Sequence, residues 1–286
     1  MLDTLQELMR PPPGMEFDFS QPPGAPALMP ADGVSWRVFA NPVALFVGGV
    51  AAVLLELAEP SVRTGVWEHS SFRRDPVARL RRTGFAAMMT VYGPRPAAQA
   101  LIARVVRLHG RVEGVTPDGL AYRANDPRLL DWVHATATFG FSEAYHRYVR
   151  PLTPAERDAA FAEGLASARL YGAAGAPPSW AAWQAMLAAA APGLEGSSIL
   201  ADFLRTMDEA PILPAPLRPL QRMLVRAAVT ISPAPLRCLP QLRARGLRPG
   251  EAGLVRALAR VAGMLPLGDT PPAQAARRMA RPRRGA

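Results

Sequence analysis

At Asp75-Pro76, Asp126-Pro127 and Thr153-Pro154 a short acceptor side chain stands directly before a proline and opens a run of good helix formers. Such a side chain satisfies backbone N–H groups that the first turn leaves orphaned. Proline suits the next position because its missing N–H had no partner there anyway. Thr153-Pro154-Ala155-Glu156 adds a capping box, with glutamate placed to reach back to the cap. A chain punctuated in this way is committed to helices with fixed starts. Ala, Leu, Arg and Pro dominate it and aromatic residues make up only 7%, which favours helices over sheets. The fold class expected is all-α.

Hydrophobic periodicity and these stops predict helices over 43–57 (ended by Pro60), 76–92, 97–112, 127–148 and 154–171, then a short helix capped by Ser179 that carries Trp180 and Trp183. Further helices are expected at 197–209, 214–230, 234–244 and 250–264. Between Gly110 and Asp126, Asp118-Gly119 lies between short alternating runs and predicts a small hairpin or irregular loop. Residues 1–35, with Pro11-Pro12-Pro13-Gly14 and Gln21-Pro22-Pro23-Gly24, read as an irregular arm behind a short amphipathic start. No repeat and no long linker divides the rest, so the expected organisation is one helical domain over 36–276 and a basic tail over 277–286.

The formal charge is +10, and all 33 basic residues are arginine. Arg277, Arg278, Arg281, Arg283 and Arg284 crowd the last ten positions, so much of the charge reads as a solvated tail. No basic stretch carries interleaved aromatics or a recognition-helix pattern, so no specific nucleic acid is expected. Cys238 is alone, which excludes an intramolecular disulfide and a cysteine metal cluster; it reads as a buried or incidental thiol. The start MLDTLQELMR lacks a signal-peptide core and a twin arginine, so a cytoplasmic protein is expected. The apolar run Val43 to Leu55 falls short of the roughly 20 residues a spanning helix needs. It reads as a buried core helix, with a peripheral membrane contact as the alternative.

There is no Walker loop, Rossmann fingerprint, His-Glu-x-x-His helix, nucleophile elbow or Cys-x-x-Cys, so the chemistry falls to four histidines: His69, His109, His134 and His146. At 100° per residue, Leu101, Val105, Leu108 and Val112 form one stripe with His109 at its edge, opposite Arg104, Arg107 and Arg111. A titratable ring aimed at the core needs a partner, so His109 is either a satisfied core histidine or a ligand. His134 lies on the face of Leu130 and Phe141 and also reads as inward; His69 and His146 read as surface residues. One or two inward histidines do not make a multi-ligand metal site, but one suffices for haem. Arg79 and Thr83, four apart, share a helical face that either meets a bound anion or oxygen species or is simply a charged outer face, and Arg82 is on a neighbouring strip. Phe85, Met88 and Phe139 serve equally as core or as the wall of an apolar pocket.

These residues carry a resemblance. The blocks LLELAEPSVRTGVWEHSSFRRDPVARLRRTGFAAMMTVYG, RVVRLHGRVEG, AYRANDPRLLDWVHAT and PLTPAERDAAFAEG appear in order, and the chain from about Pro42 to Arg278 resembles the oxygenase MpaB family, itself similar to the latex-clearing rubber oxygenases. The resemblance implies a globin-related helical domain that binds haem b, and oxidative cleavage of C=C bonds in an apolar, alkene-containing, isoprenoid-like substrate with dioxygen as co-substrate. It implies His109 as the iron ligand, with His134 as the alternative near the cofactor, and Arg79 and Thr83 in the haem pocket. A lysine of the rubber oxygenases is replaced here by Arg82. Their pocket acid has only Glu68 as a weak counterpart, and relatives carry His where this chain has Glu59. A non-catalytic haem or apolar-ligand carrier or sensor is the second reading, because a fold does not fix an activity.

Overall fold

A computed structural model describes residues 14–264 and 268–280 of the chain. In order the described α-helices are α1 (Val34–Phe39), α2 (Pro42–Ala58), α3 (Pro60–His69), α4 (Pro76–Tyr92), α5 (Arg95–His109), α6 (Pro127–Tyr148), α7 (Pro154–Tyr171), α8 (Trp180–Ala190), α9 (Ser198–Glu209), α10 (Arg218–Ile231), α11 (Ala234–Arg237), α12 (Glu251–Met264) and α13 (Pro271–Ala280). Strands β1 (Glu113–Val115) and β2 (Ala121–Arg123) are the only ones among the described residues and pair antiparallel, Glu113 opposite Arg123 and Val115 opposite Ala121. Gly119 supplies the left-handed conformation in their turn, at φ 86°. The chain is all-α, as its composition and caps require.

The apolar run becomes α2, buried round most of its circumference by α6, α10 and α12. A helix that is apolar on every side belongs at the centre. α2 and α6 approach closest at two glycines: a Cβ on Gly140 would lie 2.4 Å from the Gly48 carbonyl oxygen, and one on Gly48 would lie 2.6 Å from the Cα of Phe141. Asn41 starts α2 by accepting from the N–H groups of Val43 and Ala44, and its amide donates to the Ala259 carbonyl, tying α12 to the same point. No single helix among the described residues is long and apolar enough to cross a membrane.

Pro60 does not simply stop a helix. Glu59 accepts from Val62 N–H at 2.7 Å, so Glu59-Pro60 ends α2 and starts α3, turning the chain by 108°. This is the acceptor-before-proline device again, and it fixes α3, which the sequence reading leaves as a break. Thr270-Pro271 opens α13 in the same pattern, inside the stretch read as loop and tail. The tail boundary at 277 is therefore corrected. Arg277 and Arg278 belong to α13, and Arg278 is fully buried, donating to the carbonyls of Phe19, Ala25 and Tyr92. Arg281, Arg283, Arg284 and the amphipathic start lie outside the described residues. The arm from residue 14 to α1 is irregular, as expected. α11 covers only Ala234–Arg237, and Cys238 just beyond it is exposed, not buried.

Candidate functional site

The last turn of α2 places Glu56 among apolar neighbours. Burial pushes the carboxyl of this part-buried residue up to about 7, while the Arg79 guanidinium pulls the other way. No described residue donates a hydrogen bond to that carboxyl. Arg79, in the first turns of α4, is itself enclosed; burial lowers its pKa and the Glu56 charge restores part of it. Its guanidinium sits 5.7 Å over the Phe72 ring. A part-buried carboxyl and a part-buried cation with opposed, burial-driven shifts mark a site where proton and charge chemistry is available. Glu56 is the residue that sequence reasoning passes over. The signal for it is one acid in an otherwise continuous apolar run.

Asp75 caps α4 through Ala78 N–H at 3.0 Å and so sets where Arg79 and Thr83 fall. The buried residues of this helix, Met88, Met89, Val91 and Tyr92, all lie in its second half. Its first three turns bury no residue fully, although they carry Val77, Leu80 and Phe85. Thr83 and Arg82 are exposed, and Arg82 donates to Ser71 Oγ. Arg79 and Thr83 thus share a face that is half inside and half outside. Phe85 packs edge-on to Phe19, Met88 belongs to the same cluster, and Phe139 stacks on Trp183 in the main core. The three do not form one pocket wall.

His109 is the last residue of α5, not a residue within it. The stripe drawn through Leu101, Val105, Leu108 and Val112 is corrected by the structure: Ala98 and Ile102 are the buried positions, Leu108 is exposed, and Val112 lies past the helix end. His109 is nonetheless part-buried, its Nδ1 enclosed with no hydrogen-bond partner, and burial lowers its pKa so that the neutral ring prevails. It lines a cavity of about 250 Å³ with Gly110, Val112, Glu113, Arg123 and Asn125. Asn125 Nδ2 donates to the Val106 carbonyl at 3.1 Å, while its Oδ1 is a second enclosed, unpartnered atom. Arg79, Arg82, Thr83 and His134 are not in this lining. The two-residue turn Gly93-Pro94 joins α4 to α5, and the two helices pack on one another.

His134 is buried more deeply, with its pKa down to about 4 and Nε2 unpartnered. That nitrogen lies 2.8 Å from the position a Cβ on Gly164 would take, so it is pressed against the α7 backbone. His146 is part-buried rather than on the surface, and its Nδ1 accepts from Leu152 N–H at 2.9 Å. His69 is exposed beside Tyr122. Glu68 is also exposed and faces no cavity residue, so the enclosed acid beside Arg79 is Glu56. Glu59 is a buried helix cap that also receives both terminal nitrogens of Arg128 at 3.3 Å.

The donor chemistry at His109 fits haem: one neutral imidazole nitrogen, enclosed and without a protein partner. The cavity is below the usual range for pre-formed ligand pockets, about 300–1,000 Å³, so a ring of that size enters only when a wall moves. His134 has no such space.

Residues 36–264 match the family model described as ER-bound oxygenase mpaB/B'/Rubber oxygenase, catalytic domain. An uncharacterized protein of Mycobacterium tuberculosis and one of Mycobacterium bovis are each 27% identical to the chain over 174 residues, which is 59% of this chain and 68% of the relative. No solved structure matches significantly.

Proposed function

The chain belongs to the mpaB and rubber oxygenase family, and from that premise we propose that it is a haem b-dependent oxygenase that cleaves C=C bonds in an apolar, isoprenoid-like substrate. The observation that carries the reading is the family match over residues 36–264, which includes Glu56, Arg79 and the unpartnered His109 nitrogen. Bound haem would supply an iron able to activate dioxygen. Both oxygen atoms end in the two carbonyl products, so the overall cleavage needs no external reductant.

The roles of the chain's own residues follow from their environments. His109 offers its ring nitrogen because burial keeps it neutral, and no other donor competes for it. Arg79 holds positive charge in apolar surroundings, where a guanidinium stabilises an oxygen anion or a propionate more strongly than it does in water. Glu56, at about 7, is poised to hold or release a proton near neutral pH, which is where a general acid-base group is most effective. Thr83 presents a hydroxyl on the Arg79 face, and Arg82 is held to Ser71 beside it.

The test is a haem titration followed by absorption spectra of the oxidised and the carbon monoxide-treated reduced protein. A Soret band that shifts on reduction is expected for the native chain, with loss of tight binding in His109→Ala and retention in His134→Ala. Unchanged binding in His109→Ala removes His109 as the ligand. Oxygen uptake dependent on an isoprenoid alkene then separates an oxygenase from a haem carrier.

A further inference from the structure

The outer side of α5 and the hairpin beyond it carry exposed side chains, and of these only Glu113 and Arg123 also line the His109 cavity. From Arg95 to His109 the helix contains no acid. Arg104 and Arg107 share its outward sector with Leu108, and Arg111 follows just beyond the helix end. All three arginines are exposed, and their guanidinium groups pair with no described residue. Leu108 among them is 51% exposed, and the hairpin adds Val115 at 58% and Leu120 at 55%. The inner face of the hairpin buries Tyr122, so Val115 and Ala121 share its outer face with the ion pair Glu113–Arg123, and the tip over 117–120, which includes Asp118, is exposed throughout.

Three aliphatic side chains held in water beside three unpaired cations need a partner that is apolar within and anionic at its rim. We propose that this face docks on an anionic lipid surface, with Leu108, Val115 and Leu120 entering the headgroup–acyl boundary and Arg104, Arg107 and Arg111 among the phosphates. Nucleic acid is disfavoured because the patch has no aromatic ring on which a base would stack. Glu113 and Arg123 of the same hairpin line the His109 cavity, so docking would hold that cavity at the bilayer, where an apolar alkene arrives without crossing bulk water. This last consequence alone rests on the oxygenase reading. Lipid binding is measured without haem, so the two readings fail separately.

The experiment is flotation of the full-length chain with phosphatidylcholine vesicles, with and without phosphatidylglycerol. Binding is expected only to the anionic vesicles and should weaken as salt rises. An arginine near such a surface contributes about fivefold in partitioning, so R104Q/R107Q/R111Q should lose roughly a hundredfold. L108S/V115S/L120S should also lose binding at low salt, while R256Q/R260Q, a change at an exposed pair on α12, should stay within about twofold. Unchanged circular dichroism establishes that each variant folds. The proposal is overturned by equal binding to neutral and anionic vesicles, by an unaffected arginine triple, or by an equal loss in R256Q/R260Q. Preferential capture by duplex DNA that the arginine triple abolishes would also overturn it.

Discussion

Glu56→Gln isolates the consequence of burying a carboxyl beside Arg79. Burial raises the folded-state value from 4.5 to about 7, and Arg79 offsets only part of that. Between those values the folded chain holds a proton that the unfolded chain has released, so native stability is lost as pH rises through this window. The interval corresponds to about 3 kcal/mol in full, and the partial exposure of this group reduces it to about 2 kcal/mol. Glutamine has the shape of the protonated acid and no charge, so the variant should differ little from the native chain at pH 4.5. It should be more stable by about 2 kcal/mol at pH 8. Urea unfolding at both pH values reads the difference, since an m-value of about 3 kcal/mol per molar turns it into a midpoint shift of roughly 0.7 M. A variant whose advantage is the same at both pH values, or that is less stable at pH 8, would refute the argument. In the second case the carboxylate would be stabilising Arg79 by more than its own desolvation costs.

Three further outcomes follow from the geometry. Arg278→Met leaves the Phe19, Ala25 and Tyr92 carbonyls without their donor and should cost about 3–5 kcal/mol, read as a fall of roughly 10 °C in Tm; a fall of a degree or two would mean that water replaces the guanidinium. Gly140→Ala drives a Cβ against the Gly48 carbonyl and should destabilise by about 2 kcal/mol or more, whereas Gly84→Ala, with open space around it, should stabilise by about 0.5–1 kcal/mol; the two changes having the same sign in urea titrations would show that the α2–α6 crossing adapts freely. Thr83→Val alters an exposed hydroxyl, so Tm should hold while alkene-dependent oxygen uptake falls, and unimpaired uptake would take Thr83 out of the site.

Helix starts were legible in the sequence because a cap and a proline act locally. Asp75, Asp126, Thr153 and Ser179 each accept the backbone hydrogen bond that their positions imply. The same signal at Glu59-Pro60 and Thr270-Pro271 was readable too, but a proline that ends one helix hides that it begins another. The burial of α5 differs from its pattern because periodicity assigns faces but cannot say which face has a neighbour: Leu108 continues the apolar stripe and is exposed. Arg79 and His109 could be singled out by residue type and spacing. Glu56 could not, because its significance lies in what surrounds it across the fold, and one acid at the end of an apolar run reads as a helix terminus. Arg278 failed for the same reason in reverse, since a terminal cluster of arginines looks solvated until the carbonyls that one of them serves are brought to it.

That arginine also governs when folding can finish. Its three acceptors lie in the arm and at the end of α4, while Arg278 lies 186 residues or more further along the chain. During synthesis the arm and α4 leave the ribosome long before their donor does, so three carbonyls destined for burial wait until α5 to α12 have been made. Emergence of α13, rather than of the central helices, is the event that closes this end of the protein, and a nascent chain stalled short of Arg278 should remain open to proteolysis in the arm even with α2 and α6 already paired.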